Sequence, residues 1–134
     1  MAAKRLLVLG ACGDIGQGIV RGAHAQGFRL VAGDRNAERL VRYDDGSGIA
    51  TVVGDLGSVE AAIALWEAAQ VPFGGIDAVA IAVNAPNAAK PLLEWSSAEM
   101  AEVYATNLLT HFHAIKAMLP RLPRDGMLVG IGGG

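Results

Sequence analysis

Short apolar runs alternate with stretches of helical periodicity along the chain. Mainly aliphatic runs predict strands that are buried on both faces of a sheet. The five runs are Leu6–Leu9, Phe28–Ala32, Ile49–Val53, Ile76–Val83 and Met127–Ile131. Between them, apolar residues recur at steps of three and four, which predicts helices over residues 15–23, 37–41, 59–66 and 97–119. The last helix opens with a capping box, Ser96-x-x-Glu99, and stops at Pro120.

This alternation of strands and helices predicts an α/β fold. Right-handed crossovers force successive strands into a parallel sheet with helices on both faces. We therefore expect residues 1–134 to form one domain, a doubly wound sheet with strand order 3-2-1-4-5. Ligands bind such sheets outside the carboxyl ends of the strands, where the strand order reverses between strands 1 and 4. The loops after those two strands are therefore the first candidates for a site.

The composition indicates a globular chain and excludes several classes of partner. Hydrophobic residues make up 52% of the chain and charged residues 18%, so the chain is not disordered. There are 11 Lys and Arg residues and 13 Asp and Glu residues; the net charge of −2 gives no basis for binding nucleic acid or an anionic membrane. No uncharged apolar run approaches the ~20 residues of a membrane span. The single cysteine excludes an intrachain disulfide and favours a reducing compartment, the cytoplasm.

A glycine-rich loop with the spacing G-x-x-G-x-x-G joins the first strand to the first helix. A phosphate bound there would meet backbone N–H groups and the positive end of the helix dipole. Glycine is expected at the turn, where the backbone approaches a pyrophosphate, and where the helix packs on the sheet. The predicted cofactor contacts in this loop are Gly10, Cys12, Gly13, Asp14, Ile15 and Gly16. The alternative is an ordinary β-α turn in a chain that contains 18 glycines.

An acid at the end of the second strand supports the nucleotide interpretation. Asp34 lies 18 residues beyond Gly16, about where an acid binds the ribose hydroxyls of adenosine. Its carboxylate would repel a 2′-phosphate, so we expect the cofactor to be NAD. The neighbouring Arg35 could attract that phosphate, which leaves NADP possible. The competing interpretation of Asp34 is a helix cap.

With these residues in place, the chain resembles the short-chain dehydrogenase/reductase family. The resemblance extends over all 134 residues, which correspond to about the N-terminal half of that family's Rossmann-like domain. The glycine spacing is similar to that of the extended and atypical subgroups, whereas the commonest subgroup has glycine where Asp14 stands. Asp55-Leu56 resembles the family's adenine-contacting pair, and Val83-Asn84-Ala85-Pro86 resembles its Asn-Asn-Ala-Gly segment.

The resemblance also implies where the nicotinamide and a proton relay would lie. The nicotinamide is expected near Asn84, Ala85 and Pro86. Asn107-Leu108 in the long helix is similar to the family's Asn-Leu pair, whose asparagine helps to hold a proton-relay water. Asn107 is therefore the candidate catalytic residue. The alternative is a buried amide that bonds to neighbouring backbone.

The resemblance implies a catalytic serine that this sequence does not have, and a Tyr-x-x-x-Lys element that should come after residue 134. The serine should fall at the end of the fifth strand, where the sequence reads Ile131-Gly132-Gly133-Gly134. Neither Tyr43 nor Tyr104 is followed by lysine in a Tyr-x-x-x-Lys pattern. An uncovered sheet edge and an apolar helix flank would also invite association. We therefore expect these residues to be incomplete as a catalyst, as part of a longer polypeptide or as an obligate oligomer.

The remaining polar candidates favour structural roles. His111 and His113 are two residues apart and point to different sides of a helix, so they do not form a metal pair. Asp44-Asp45 lacks the other ligands of a calcium loop, and we expect no metal site. The helix N-terminus could lower the thiol pKa of Cys12, but packing is favoured because no resolving cysteine is present.

The favoured function is an NAD(P)-dependent oxidoreductase that acts on a small alcohol or carbonyl substrate, as a homo-oligomer. Two alternatives stay open. A non-catalytic dinucleotide-binding redox sensor would also lack the serine and tyrosine. An epimerase or dehydratase would use the same fold and retain its cofactor through the reaction.

Overall fold

The computed structural model describes residues 3–85 and 88–132. The strands are β1 (Arg5–Leu9), β2 (Arg29–Asp34), β3 (Ala50–Val53), β4 (Ala78–Ile81) and β5 (Met127–Gly130). The α-helices are α1 (Asp14–Ala25), α2 (Ala37–Leu40), α3 (Val59–Gln70), α4 (Ser97–Tyr104) and α5 (Thr110–Met118). A π-helical segment, Ala105–Leu109, joins α4 to α5, and short 3₁₀ turns lie at Val41–Tyr43, Leu92–Glu94 and Leu119–Arg121.

The five strands form one parallel sheet of order β3-β2-β1-β4-β5, which confirms the predicted doubly wound α/β fold. Leu9, the last residue of β1, pairs with Gly33 of β2 and with Ile81 of β4. The carboxyl ends of these strands therefore coincide at one edge of the sheet. Two hydrophobic layers cover the faces, one with α3 and α5 and the other with α1 and the 3₁₀ turn at Val41–Tyr43.

Strand limits differ from the predicted ones by a few residues. β4 is shorter than the apolar run Ile76–Val83, because apolar residues on both sides of the strand are also held in the core. β2 continues beyond Ala32 because Gly33 and Asp34 pair with β3. Gly33 has no side chain and the side chain of Asp34 is charged, so the hydrophobic pattern ends before the strand does.

The helix predicted over residues 97–119 is present as one continuous helical stretch up to Met118, but it is not α-helical throughout. The π-helical segment Ala105–Leu109 lies in its middle. A π turn holds an extra residue, which a periodicity of 3.6 residues does not reveal. The hydroxyl of Thr106 donates to the carbonyl of Glu102 at 2.9 Å, and that of Thr110 donates to the carbonyl of Thr106 at 2.8 Å. These two bonds give hydrogen-bond donors to the carbonyls of Glu102 and Thr106, at the π-helical turn.

Apolar surface is exposed on one flank of the described chain, as the sequence predicts. On β5, the side chains of Met127 and Val129 are 63% and 41% exposed. The adjoining helical segments expose Tyr104, Leu108, Leu109, Phe112, Ile115 and Leu119. Among the described residues, no helix has both the length and the apolar character needed to cross a membrane.

At the amino edge of the sheet, an ion pair ties the start of β1 to the residue before β4. Asp77 Oδ2 accepts from the backbone N and from Nε of Arg5 at 2.9 and 3.0 Å, and Oδ1 accepts from its guanidinium at 2.9 Å. The bonds from the Arg5 side chain and backbone lower the pKa of Asp77 to about 2. A carboxyl whose pKa is lowered by folding stabilises the fold above its unfolded pKa, and this contribution is lost as the pH falls through the folded pKa.

We expect Asp77→Asn to lower the free energy of unfolding by about 1 kcal/mol near neutral pH, after allowance for solvent screening. The difference from the parent should shrink below about pH 4 and be mostly lost near pH 2, where the parent carboxyl also becomes neutral. Urea denaturation at a series of pH values measures this. Asp125→Asn is the matched control, because its 3.8 Å pair with Lys4 is solvent-exposed. A stability difference for Asp77→Asn that stays constant down to pH 2 would contradict the assignment.

Candidate functional site

A cavity of about 440 Å³ opens at the carboxyl edge of the sheet. Such an edge is where doubly wound sheets bind ligands, and the volume lies within the range of small-molecule sites. The predicted site residues that line it are Gly10, Gly13, Asp34, Arg35, Asp55, Leu56, Asn84 and Ala85. The structure therefore brings together residues that follow β1, β2, β3 and β4.

Four other predicted residues of the glycine loop do not line this cavity. Asp14 and Ile15 are exposed in the first turn of α1, and Gly16 is buried behind them. The Cys12 side chain is buried in the hydrophobic layer beneath α1, so it packs in the core and does not face a ligand. Pro86 lies outside the described residues.

The pKa of the Cys12 thiol differs from the one that the sequence suggests. The nearby helix N-terminus could lower its pKa, but burial raises the pKa of the Cys12 thiol instead. The negative charge of Asp34 and a hydrogen bond to it act in the same direction. Burial outweighs the helix dipole, and Cys12 is a packed thiol.

The three loop glycines have different roles in the structure. A Cβ on Gly16 would lie 1.9 Å from the carbonyl oxygen of Gly10, so Gly16 packs on the loop itself and not on the sheet as expected. Gly10 has a φ of +74°, and a Cβ there would lie 2.6 Å from the carbonyl oxygen of Ala82 beyond β4. Gly13 has a φ of −74°, and the nearest atom to a Cβ would be 3.6 Å away. The protein's own packing therefore requires glycine at two positions but not at Gly13, which faces the cavity.

Asp34 joins the glycine loop to the segment after β2. Its Oδ2 accepts from the backbone N–H of Cys12 at 3.0 Å, and its Oδ1 accepts from that of Asn36 at 3.0 Å. The cap of α2 is Asn36, whose side chain accepts from the N–H of Arg39 at 3.1 Å. The alternative interpretation of Asp34 as the helix cap is therefore wrong.

The loop after β4 is held by the helical segments beneath it. Asn107, within the π-helical segment, accepts from the backbone N–H of Ala85 through Oδ1 at 2.8 Å. His111 donates from Nε2 to the carbonyl of Val83 at 3.0 Å. His113 donates from Nδ1 to the carbonyl of Leu56, after β3, at 2.7 Å. The two histidines thus have the structural role that the sequence favours, and Asn107 acts on the loop predicted to hold the nicotinamide.

Several residues of the site are not predicted from the sequence. Arg39 lines the cavity and donates to the carbonyl of Cys12 at 2.5 Å. Thr106 and Thr110 line it from the helical side. No local pattern marks these positions, since each reaches the cavity only through tertiary packing. Within the described ranges, no cluster of three or more His, Cys, Asp or Glu side chains could hold a metal ion.

The chain belongs to the short chain dehydrogenase family, whose model matches residues 4–133. It is 34% identical to the L-xylulose reductase of Bos taurus over 118 residues, which are 86% of this chain and 44% of that protein. It is 39% identical to the human L-xylulose reductase over 97 residues, covering 70% of this chain and 35% of that protein. A short-chain dehydrogenase/reductase from Brucella melitensis superimposes with a TM-score of 0.83 at 33% identity, over 95% of this chain and 53% of that one. The chain thus spans less than half the length of the two reductases.

We expect Asn107→Leu to release the backbone N–H of Ala85 from its side-chain acceptor. Amide hydrogen exchange at Ala85 should accelerate about tenfold, the effect of losing one net hydrogen bond. Asn107→Asp is the matched control, because it keeps an oxygen acceptor at the same place. Unchanged exchange at Ala85 in the leucine variant would show that Asn107 does not hold this loop.

Proposed function

We propose that residues 1–134 form the dinucleotide-binding domain of an NAD(P)-dependent oxidoreductase that acts on a small alcohol or carbonyl compound. The observation that carries the proposal is Gly13, a glycine that the protein's own packing does not need, placed at the cavity and at the start of α1. Since the fold does not require glycine at this position, the absence of a side chain is explained by the close approach of a pyrophosphate to the backbone.

The pyrophosphate binds at the first turn of α1 in this proposal. Gly13 is the N-cap of this 12-residue helix and makes no side-chain capping bond, so a phosphate oxygen can serve as the cap. Asp14, Ile15 and Gly16 contribute backbone N–H groups rather than side chains. Cys12 contributes to the site only as part of the backbone of the glycine loop, because its side chain is buried in the core.

The adenosine lies between the ends of β2 and β3. Asp34 and Asp55, with Leu56, line that end of the cavity together with Arg35 and Arg39. Each oxygen of Asp34 accepts one backbone N–H, and a carboxylate oxygen can accept a second hydrogen bond. The ribose hydroxyls would use that remaining capacity.

The nicotinamide end lies at Asn84, Ala85 and Pro86, after β4. NAD(P), when bound, supplies the hydride chemistry there. Asn107 positions Ala85 and, by the family resemblance, helps to hold a relay water. The general acid/base is assigned to a part of the protein beyond the residues described. Two relatives of the chain are named L-xylulose reductase, which supports a small carbonyl or alcohol substrate and does not favour a sensor or epimerase.

We extend the proposal to assembly and location. The exposed apolar flank of β5 and the adjoining helical segments supports a homo-oligomer in the whole protein. The single buried cysteine supports the cytoplasm, a reducing compartment.

We expect Gly13→Ala to weaken NAD binding about tenfold or more while the free energy of unfolding changes by less than about 1 kcal/mol. The added methyl group meets no protein atom closer than 3.6 Å but occupies the space where the phosphate approaches. Calorimetric titration and thermal denaturation measure the two quantities. Gly18→Ala in α1 is the matched control, because its Cβ would meet nothing within 4 Å and it lies outside the cavity lining. Unchanged NAD affinity in a folded Gly13→Ala protein would refute the phosphate-loop assignment.

We expect NAD to bind more tightly than NADP, because the carboxylate of Asp34 repels a 2′-phosphate. Asp34→Ala should cost about 1.5–3 kcal/mol of NAD affinity, since a charge-assisted hydrogen bond is lost. It should also reduce the preference over NADP, with Arg35 and Arg39 left at that end of the cavity. Parallel titrations with the two cofactors test this, and NADP binding at least as tight as NAD in the parent chain would contradict it.

A further inference from the structure

The peptide groups of Ala11 and Cys12, in the middle of the glycine loop, are bonded at every polar atom. On the donor side, the N–H of Ala11 donates to the carbonyl of Gly33 at 3.1 Å. The N–H of Cys12 donates to Asp34 Oδ2 at 3.0 Å. Both bonds tie the loop to the end of β2.

On the acceptor side, the partners come from further along the chain. The hydroxyl of Tyr43 donates to the carbonyl of Ala11 at 2.5 Å. The guanidinium of Arg39 donates to the carbonyl of Cys12 at 2.5 Å, and the Gln17 side chain donates to the same oxygen at 3.0 Å. The carbonyls of two successive loop residues are thus held by side chains that the phosphate-loop assignment does not use.

The direction of the Ala11 carbonyl is settled by burial. Tyr43 is 2% exposed in the hydrophobic layer beneath α1, and neither Tyr43 nor Ala11 lines the cavity. The Ala11 carbonyl therefore points into the protein, away from the ligand space. Burial raises the pKa of the Tyr43 hydroxyl, which keeps it protonated and able to donate.

The orientation matters because a carbonyl oxygen repels a phosphate, whereas an N–H group attracts it. The N–H groups of the same two peptide planes are used inside the protein, because Cys12 donates to Asp34 Oδ2 and Gly13 donates to the carbonyl of Gly10 at 3.2 Å. The N–H groups that a helix start leaves without intrahelical partners are those of Asp14, Ile15 and Gly16, in the first turn of α1.

We propose that Tyr43 and Arg39 are positioning residues, which hold the Ala11 and Cys12 carbonyls and so fix the loop that leads into α1, keeping the N–H groups of the first turn of α1 at the pyrophosphate. This inference rests on the proposed dinucleotide function and extends it to a segment that contacts the loop from behind.

Tyr43→Phe is the most direct variant, because it keeps the ring in the core and removes only the hydroxyl. Arg39→Gln removes the second support at an exposed position, where folding is not at risk. Tyr104→Phe is the matched control, since Tyr104 is exposed on α4 and lies outside the cavity lining. Each protein is titrated with NAD and with adenosine, which lacks the pyrophosphate, by nuclear magnetic resonance.

We expect Tyr43→Phe to weaken NAD binding about tenfold and adenosine binding by less than about twofold. Arg39→Gln should weaken NAD binding at least as much, and because Arg39 also lines the adenosine end of the cavity, the comparison with adenosine is made with Tyr43→Phe alone. Tyr104→Phe should change neither. Equal weakening of both ligands in Tyr43→Phe, as a role in stability alone would give, or unchanged NAD affinity in both folded variants, would overturn the inference. NAD binding that is lost in Gly13→Ala but kept in these two variants would leave the proposed function intact and refute only the positioning role. Failure of the parent chain to bind NAD would instead contradict the proposed function and the inference together.

Discussion

The contact between Gly16 and the carbonyl of Gly10 is the constraint on which the rest of the site depends. The first helix begins so close to the end of the first strand that a Cβ at Gly16 would lie 1.9 Å from that oxygen. Gly10, with a positive φ, turns the chain against the end of β4 at the same place. Because both approaches exclude a side chain, α1 can start directly above the carboxyl edge of the sheet. The N-terminus of α1 is thereby aimed at the cavity.

Around this constraint, neighbouring elements hold the cavity loops by side-chain to backbone bonds. Asp34, Arg39 and Tyr43 hold the glycine loop from one side of the switch point. Asn107 and His111 hold the loop after β4 from the other. All five of these side chains bond to peptide groups of the cavity loops. This arrangement suits a site that recognises phosphate and ribose groups largely through peptide N–H groups and a few carboxylates.

The fold could be predicted from the sequence because its signals are local. The aliphatic runs and the periodic stretches between them are each complete within a few residues, and the crossover rule then fixes the sheet order. The π-helical turn at Ala105–Leu109 could not be predicted, since its extra residue leaves the apolar spacing nearly unchanged. The last two residues of β2, Gly33 and Asp34, could not be predicted because they pair with β3 through their backbone and have no apolar side chains.

Site residues could be predicted where their spacing along the sequence marks them. They could not be predicted where only tertiary packing brings them to the cavity. Gly10, Gly13, Asp34 and Asp55 lie at the carboxyl ends of strands or in the loops after them, and they do line the cavity. Arg39 and Tyr43 reach the glycine loop only because α2 and the turn after it fold back beneath it, which no local pattern shows. The thiol pKa of Cys12 was misjudged because the sequence shows the nearby helix N-terminus but not the burial that opposes it.

The central claim is that the start of α1 binds the pyrophosphate of a dinucleotide. Chemical-shift mapping of the isotope-labelled 134-residue chain during titration with NAD tests it most directly. The account predicts saturable shifts that are largest at the amides of Gly13, Asp14, Ile15 and Gly16, with smaller ones at Asp55 and Ala85. An absence of saturable shifts, or shifts confined to the exposed flank of α5 and β5, would contradict it.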